Sequence, residues 1–354
     1  MTSMARKPAR RGTNGSRSAD GARTTDARST DARTQDARST DARTEDARTE
    51  VFLDEALDVR TEPVDGAIEV TGSGHDHLPV PAHPLEDPDE LEALRMSDVN
   101  EWGRSEHMRE IARRLYDPIY RHWFRVEWEG LEKIPTNGGA LLVANHAAAI
   151  PSDAPVIMHG IETELGRPVY GLADNFFRTL PVIGTLWSRL GGLPAHPDNA
   201  CRLLHDQGQL VLAFPEGAKG PAKTYDERYQ LRRFGRGGFV EIAMRAGVPV
   251  VPIAVVGAEE SMPTLFRIPS IARALGMPYM PVTANMMLAG PLGVAAYFPA
   301  KFKLKVLDPV HFDVPAGQER YSRSRVMDES ESIRDKIQVA LYDMLRTRRS
   351  IWFG

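Results

Sequence analysis

Two stretches of the sequence share one pattern, in which an apolar run ends in polar residues. Residues 140–153 read ALLVANHAAAIPSD, and residues 209–220 read QLVLAFPEGAKG. The apolar runs ALLVA and LVLAF are short, which is typical of strands buried on both faces. In a parallel sheet, ligands bind beyond the carboxyl ends of the strands, so we expect the polar residues of both stretches to lie near a functional site.

Similar apolar, β-branched runs recur along the chain, at residues 169–172, 248–256 and 302–307. Apolar residues at helical spacing lie between the runs, at 176–190, 199–206 and 237–245, and a last helix is predicted at 332–346. Strands that alternate with helices indicate a sheet with helices packed on it. The chain is therefore predicted to have an α/β fold, with a mixed, largely parallel sheet flanked by helices.

The first hundred residues have a different composition. Residues 51–100 hold thirteen acidic residues against two arginines. In residues 20–50 no apolar residue is larger than alanine, and such a sequence cannot offset the entropy of ordering a chain. We predict a disordered, repeat-containing and acidic linker region at 1–100, followed by one folded domain at 101–354. A five-residue unit, Asp-Ala-Arg-(Thr/Ser)-x, recurs in this region at Asp26, Asp31, Asp36, Asp41 and Asp46.

The cysteine content and the uncharged segments bear on the cellular location. Cys201 is the one cysteine and cannot form an intramolecular disulfide, and the N-terminus carries no secretion signal, so we expect a cytosolic protein. The longest uncharged stretch, residues 276–300, is long enough to cross a membrane. Four prolines interrupt it, and we predict a buried loop-and-strand segment there instead of a span.

The polar residues after the two apolar runs include a histidine and two carboxylates. His146 follows the first run, Asp153 comes seven residues later, and Glu216 follows the second run. A neutral histidine can take a proton from a hydroxyl group, and a carboxylate can fix its tautomer. This pair is sufficient for acyl transfer without a covalent intermediate. The alternative for Asp153 is that it, or Ser152, caps a helix that starts near Ala154.

Other readings of these residues remain open at this point. His146 could be a structural histidine at a strand end, and Glu216 could be an ordinary carboxylate at a helix N-terminus. A serine hydrolase is disfavoured because the sequence contains no Gly-x-Ser-x-Gly elbow, and Cys201 lies in a predicted helix without a catalytic motif.

Taken in order, three sequence blocks resemble the PlsC-like lysophospholipid and glycerolipid acyltransferase family, over residues 128–309. The family's first block, Asn-His followed by an aspartate, matches VANHAAAIPSD at 143–153. Its third block, Phe-Pro-Glu-Gly followed by Thr or Ser and Arg, matches FPEGAK at 214–219. Its fourth block, an apolar run around a proline, matches VPVVPI at 248–253, with Pro252 at the characteristic position.

The resemblance implies a glycerolipid acyltransferase-like fold and a role in phospholipid biosynthesis. The implied reaction moves a fatty acyl group from acyl-CoA or acyl carrier protein to the hydroxyl of a lysophospholipid or related glycerolipid. His146 would be the general base and Asp153 its orienting partner, with Glu216 and Gly217 contributing to acceptor binding and to the architecture of the site. The thioester donor is a co-substrate, so we expect neither cofactor nor metal, and no nucleic acid as a partner.

The sequence departs from the family pattern in three places. Six residues separate His146 from Asp153 instead of the usual four, so the segment must form a loop. The second block reads GGLPAHPDNA and has His196 but no arginine. Lys219 replaces the arginine of the third block, and the basic run that ends at Arg236 is a candidate to compensate in acceptor binding. The changed cations leave open an uncharged acceptor such as diacylglycerol, or a non-catalytic membrane-associated protein of the same fold.

Aromatic and basic residues near both ends of the domain suggest contact with a membrane. Trp123, Phe124 and Trp128 lie among arginines and a histidine, and Trp352 and Phe353 follow a cluster of arginines. Such pairs of rings and cations suit the interface of a bilayer, and we expect peripheral attachment to the cytosolic face of the cell membrane. A packed N-terminal helix is the alternative for the first group.

Overall fold

The structure is a computed structural model, and it describes residues 98–173, 182–318 and 320–354. The predicted disordered region therefore lies outside the described residues, except for its last three positions. The first part of the helix predicted at 176–190 lies outside them as well.

Nine strands occur within the described residues, and seven of them form one sheet. In spatial order this sheet runs β1, β9, β6, β2, β5, β3, β4. Neighbouring strands are parallel except β6 and β9, which are antiparallel, so the predicted mixed and largely parallel sheet is confirmed. The strands are β1 (Glu127–Glu129), β2 (Ala140–Ala144), β3 (Val169–Ala173), β4 (Gly192–Pro194), β5 (Leu210–Ala213), β6 (Val250–Val256), β7 (Thr264–Arg267), β8 (Pro281–Thr283) and β9 (Lys303–Val306).

The predicted helices occur near their expected positions where the structure describes them, with differences at their ends, whereas α6, α7 and α8 were not predicted. The last helix begins nine residues before its predicted start at residue 332. Single π-helical turns follow α1 at Ile119–Trp123 and α4 at Arg202–Asp206. The α-helices of the described residues are α1 (Glu106–Pro118), α2 (Asp153–Leu165), α3 (Ile183–Arg189), α4 (Pro197–Cys201), α5 (Gly238–Ala246), α6 (Ala258–Ser261), α7 (Pro269–Ala274), α8 (Ala284–Ala289) and α9 (Arg323–Thr347).

The central strands are covered by helices on both faces, which explains their uninterrupted apolar sequences. Successive residues of a strand point to opposite faces. Leu141 accordingly packs in a cluster with the apolar sides of α5 and α9, whereas Leu142 packs in a second cluster with α2 and Phe124. Every residue of β2 and β6 is buried. A three-layer core of this kind fixes the strands that carry the site.

The carboxyl ends of β2, β5 and β6 lie side by side at one edge of the sheet. Strand β2 pairs with β5 on one side and with β6 on the other, and both pairings are parallel. The segments that follow these strands begin at Asn145, Phe214 and Gly257. The sheet therefore brings together the His-Asp loop, residues 145–153, and the Phe-Pro-Glu-Gly turn, residues 214–217, as the sequence predicted.

Two expectations about the surface are wrong. Phe124 is buried at 1% exposure, and Trp128 is half-buried and donates its indole N–H to the Tyr120 hydroxyl at 2.7 Å. Of that aromatic group, Trp123 alone is exposed. The stretch 276–300 is not buried either, because Met287, Leu288, Leu292 and Val294 stand in solvent. No described helix combines the length and the apolar character needed to cross a membrane.

Candidate active site

His146 and Asp153 meet in a loop at the carboxyl end of β2. Nδ1 of His146 lies 2.9 Å from Oδ2 of Asp153, and the two side chains are 15% and 0% exposed. The same Oδ2 accepts a hydrogen bond from the backbone N–H of Ala147 at 2.8 Å, and Oδ1 accepts one from Ala154 at 2.8 Å. The carboxylate is therefore held by backbone donors while it contacts the histidine.

The chain reaches this arrangement by a turn and not by a regular helix. Ala148 has a φ of 71°, a left-handed conformation that costs a residue with a β-carbon about 1–2 kcal/mol. Asp153 is the first residue of α2, which places its carboxylate at the N-terminal end of a helix dipole. The capping alternative is met in part, because Asp153 bonds the N–H of Ala154 as well as the histidine. Ser152, in contrast, makes no side-chain capping bond and lies 3.0 Å from the hydroxyl of Ser261.

The contact with Asp153 decides which nitrogen of His146 can act as a base. An ionised carboxylate only accepts hydrogen bonds, so the neutral imidazole carries its proton on Nδ1 and a lone pair on Nε2. The ring also stacks on Phe214, with centroids 4.1 Å apart and an angle of 21° between the planes. These two contacts fix both the tautomer and the plane of the ring.

Glu216 is buried and acts on the backbone of the site. Its Oε1 accepts the backbone N–H of His146 at 2.9 Å, and its Oε2 accepts the backbone N–H of Arg232 at 2.8 Å. The ammonium of Lys223 also donates to Oε2 at 3.3 Å. With 1% exposure and both oxygens engaged, this carboxylate positions His146.

The other predicted binding residues lie in or beyond the turn after Glu216. The N–H of Gly217 donates to the carbonyl of Phe214, which closes the turn. Gly217 has a φ of 56°, a conformation that favours glycine. Lys219 is half-buried at the end of the 3-10 turn Gly217–Lys219, and Arg236 is exposed ahead of α5. His196, which stands in the second block, caps α4 by accepting the N–H of Asp198 at 3.2 Å.

A buried charge cluster lies behind the His-Asp loop. Lys223 is 6% exposed and lies between Glu216 and Glu259, with its ammonium 3.2 Å from the Glu259 carboxylate. Burial lowers the pKa of Lys223, but the two carboxylates raise it above its usual value overall. Burial raises the pKa of Glu259 to about 7, against the opposing effect of Lys223. Lys223 thus connects the Phe-Pro-Glu-Gly turn to α6 through its ion pairs with Glu216 and Glu259.

Sequence reasoning assigned no role to two further residues of the site. Asn145 is buried and bridges β2 to β6, donating to the carbonyl of Val255 at 3.0 Å and accepting its N–H at 2.7 Å. Gly220 packs so closely on His146 that a β-carbon there would lie 2.7 Å from the histidine's β-carbon and carbonyl oxygen. The glycine after EGAK was visible in the sequence, but nothing in the sequence shows what it contacts.

Grouped metal ligands are not part of this arrangement. In the part of the chain that the structure describes, no three His, Cys, Asp or Glu side chains come together as metal ligands would.

Comparison with known proteins relates the chain to acyltransferases. The model of the acyltransferase family matches residues 125–256, which include the His-Asp loop and the turn around Glu216. Uncharacterized proteins of Mycobacterium tuberculosis and Mycobacterium leprae are 38% and 37% identical over 259 residues, which are 72% of this chain and 72% and 70% of theirs. The "DGAT1/2-independent enzyme synthesizing storage lipids" of Bos taurus is 26% identical over 254 residues, 69% of this chain and 71% of that protein.

Among solved structures, the chain is similar to the crystal structure of the 1-acyl-sn-glycerophosphate acyltransferase PlsC from Thermotoga maritima. The sequences are 22% identical, the TM-score is 0.41, and the similarity covers 68% of this chain and 84% of that chain. The assignment itself rests on the family model and on the mycobacterial relatives. The family model spans the segment from β1 to the end of β6, so the enzyme described here belongs to the acyltransferase family.

Proposed function

We propose that this acyltransferase moves a fatty acyl group from acyl-CoA or acyl carrier protein to a hydroxyl of a lysophospholipid or related glycerolipid. The observation that carries the proposal is the 2.9 Å contact between His146 Nδ1 and Asp153 Oδ2 at the ligand-binding edge of the sheet. Acyl transfer to an alcohol needs a base for one proton and a group that returns it, and a single oriented histidine supplies both.

In the proposed reaction, Nε2 of His146 removes the proton of the acceptor hydroxyl as its oxygen attacks the thioester carbonyl. The new C–O bond forms, and the imidazolium is stabilised by the carboxylate of Asp153. Collapse of the tetrahedral intermediate breaks the C–S bond and expels a thiolate. The thiolate takes the proton from Nε2, which regenerates the neutral histidine and leaves an ester and a free thiol.

A second candidate acceptor is an uncharged lipid alcohol such as diacylglycerol. Lys223 follows the turn around Glu216, but its ammonium is paired with Glu216 and Glu259. His196 caps a helix at the position where the block of the resembled family has an arginine. The bovine relative's name, an enzyme synthesizing storage lipids, favours the same acceptor class. Acceptor binding by Glu216, Gly217, Lys219 and Arg236 stays a prediction in either case.

The location of the enzyme follows from its proposed substrates. A lipid acceptor resides in a bilayer, and we place the enzyme peripherally on the cytosolic face of the cell membrane. Exposed Trp352 and Phe353 support this placement, since they remain on the surface while Phe124 is buried. The indole of Trp123 donates to the Tyr297 carbonyl, and Arg125 donates to the carbonyl of Trp352.

The test is transfer of a labelled acyl group from acyl-CoA or acyl carrier protein to a panel of lysophospholipids, glycerol phosphate and diacylglycerol. His146→Ala is expected to lower turnover by about 10²- to 10⁴-fold, because the acceptor must then lose its proton to water. Asp153→Asn is expected to lower it by a smaller factor, since the imidazole stays but its tautomer is no longer fixed. Preference for charged or neutral acceptors in the panel decides between the two candidates.

His311→Ala is the matched control for this test. His311 is exposed and follows Val310, which pairs with Val250 at the opposite end of β6 from the site. Its removal is expected to leave turnover unchanged. Full activity of His146→Ala would refute the mechanism, and an Asp153→Asn enzyme that is unstable but fully active would reduce Asp153 to a helix-capping residue.

A further inference from the structure

The segment between α6 and β9 exposes an apolar surface that neither the core nor the catalytic residues explain. We call residues 264–294 the docking segment; it contains the β7–β8 hairpin, α7 and α8. Leu288 and Leu292 are 78% and 80% exposed. Single exposed leucines are common, but a set this large in one short segment marks an interaction surface. The large exposed apolar side chains of the segment are Leu265, Phe266, Ile271, Leu275, Met287, Leu288, Leu292 and Val294.

The charges of this segment have one sign. Between residues 262 and 300 the sequence contains no aspartate or glutamate, and Arg267 and Arg273 are its only charged residues. Both arginines are exposed. By comparison, 26% of the whole chain is charged and acidic residues outnumber basic ones. The charged side chains of the segment itself are cations, which makes it complementary to a bilayer that carries anionic headgroups. Outside the segment, the Asp226 carboxylate interacts with Arg267.

The docking segment is bonded to the loop that carries the catalytic pair. The Tyr279 hydroxyl donates to the carbonyl of Ala149 at 2.9 Å. Just beyond the segment, the Tyr297 hydroxyl donates to the carbonyl of Ile150 at 3.3 Å. Both carbonyls lie between His146 and Asp153 in the chain. A bilayer that binds the docking segment would therefore meet the edge of the sheet at which the proposed base is held.

We propose that the docking segment binds the surface of an anionic lipid bilayer, with Leu288 and Leu292 inserted among the acyl chains and Arg267 and Arg273 at the headgroups. Binding to lipid needs no catalysis and stands on the exposed surface alone. That the bilayer then delivers the acceptor to His146 rests on the function proposed above.

The rival surface for the same role is the outer side of α1. Ile111, Leu115, Ile119 and Trp123 are exposed at four-residue spacing and form a stripe there. Acidic Glu110 and Asp117 lie on the same helix, in exposed ion pairs with the arginines of that helix and of the turn after it. Carboxylates oppose contact with anionic lipid and take up the neighbouring arginines, so we assign the docking role to the segment whose sequence contains arginines and no carboxylate.

The test is flotation of the purified full-length chain with vesicles of equal parts phosphatidylglycerol and phosphatidylcholine. The double substitution Leu288→Glu/Leu292→Glu is expected to weaken vesicle binding by about tenfold or more, because two inserted leucines become charged. Val339→Glu is the matched control: Val339 is 59% exposed on α9, outside the docking segment, and its substitution should leave binding unchanged. Arg267→Gln/Arg273→Gln should weaken binding to the anionic vesicles and not to vesicles of phosphatidylcholine alone.

Three outcomes would overturn the proposal. Unchanged vesicle binding of the leucine variant would do so, and so would an equal loss in Val339→Glu. A loss of self-association on gel filtration with unchanged vesicle binding would make the surface an interface between two copies of the chain. Acyl transfer to a detergent-dispersed acceptor, measured in parallel, separates the two proposals. If the leucine variant loses vesicle binding but neither it nor the unchanged protein transfers an acyl group, docking is supported and the proposed function is refuted.

Discussion

Gly220 shows how closely the site is packed at the scale of single residues. Gly220 lies so close to His146 that no methyl group fits between them. A β-carbon at position 220 would lie 2.7 Å from the nearest atoms of the histidine. Gly220→Ala is therefore expected to displace His146 from Asp153 and to lower turnover by about tenfold or more, because small misplacements of a catalytic group are costly. Turnover and thermal unfolding of the purified variant are the measurements.

The control for this substitution is Gly138→Ala. Gly138 precedes β2, at the end of the strand away from the site; it has a φ of 74°, and no atom lies within 4 Å of a β-carbon placed there. The alanine should cost about 1 kcal/mol of stability through backbone strain and leave turnover intact. Equal turnover in the two variants would show that the close contact of Gly220 does not set the position of His146.

The sequence predicted the pairing of His146 with Asp153 better than the contacts that hold this pair. His146 and Asp153 were predicted as a pair because general-base chemistry requires a carboxylate near the imidazole, and the structure brings them together. Glu216 was predicted to serve acceptor binding and site architecture; the first stays a prediction, and the structure gives the second as a hydrogen bond to the backbone N–H of His146. This contact joins residues that follow two different strands, so it depends on sheet order, which local sequence does not encode.

At the scale of elements, a buried ionic network fastens α1 to the sheet. The Glu162 side chain, on α2, is 4% exposed and accepts hydrogen bonds from Arg104 at 2.8 Å and from Arg109. It also accepts the backbone N–H of Val169, at the start of β3, at 3.3 Å. The Glu162 carboxylate thus connects α2 to three other parts of the chain: the segment before α1, α1 itself and β3.

Glu162→Ala is expected to lower the free energy of unfolding by about 3–5 kcal/mol, because the buried Arg109 loses its carboxylate partner and the buried Arg104 keeps only the exposed Glu106. Denaturant titration of the variant measures this loss. Glu110→Ala serves as the comparison, since Glu110 pairs with Arg113 and Arg114 on the exposed side of α1. Surface pairs contribute little, so this variant should unfold like the unchanged protein. A stable Glu162→Ala protein would mean that packing alone holds α1.

The elements themselves were predictable to the extent that their apolar periodicity is strong. Strands β2, β5 and β6 lie within two residues of their predicted bounds, because runs of buried aliphatic residues have clear ends. Helix α9 was predicted too short: residues 323–331 read RSRVMDESE, and Val326 is the one large aliphatic residue that is buried there. These nine residues of helix are held by contact with the rest of the fold, and periodicity alone does not reveal them.

At the scale of the whole molecule, the sequence predicted the class of fold but not its connections. Alternating strands and helices indicated a mostly parallel sheet. The antiparallel placement of β9 beside β6 was not predicted, because it follows from the long path of the docking segment between them. After this path the chain returns to the sheet as β9, which lies between β6 and the edge strand β1 and pairs with β1.

Removal of residues 1–94 is expected to leave turnover unchanged, because a repeat of small and charged residues cannot place a rigid catalytic group. The exact start of the shortened chain matters. The predicted domain began at residue 101, but the contacts of the domain reach back to Asp98, whose carboxylate accepts the hydroxyl of Ser105 at 2.5 Å and the N–H of His107 at 2.9 Å. Asn100 also donates to the Tyr170 hydroxyl at 2.8 Å.

Two shortened chains separate these effects. A chain that begins at Arg95 keeps the bonds of Asp98 and Asn100, so its melting temperature and turnover should equal those of the full chain. A chain that begins at Glu101 loses them and should melt a few degrees lower, since the bonds that Asn100 makes are worth about 1 kcal/mol each. Its turnover below that melting temperature should still be normal, because neither residue contacts the His-Asp loop. Loss of turnover in the Arg95 chain at an unchanged melting temperature would instead give the N-terminal repeats a part in catalysis.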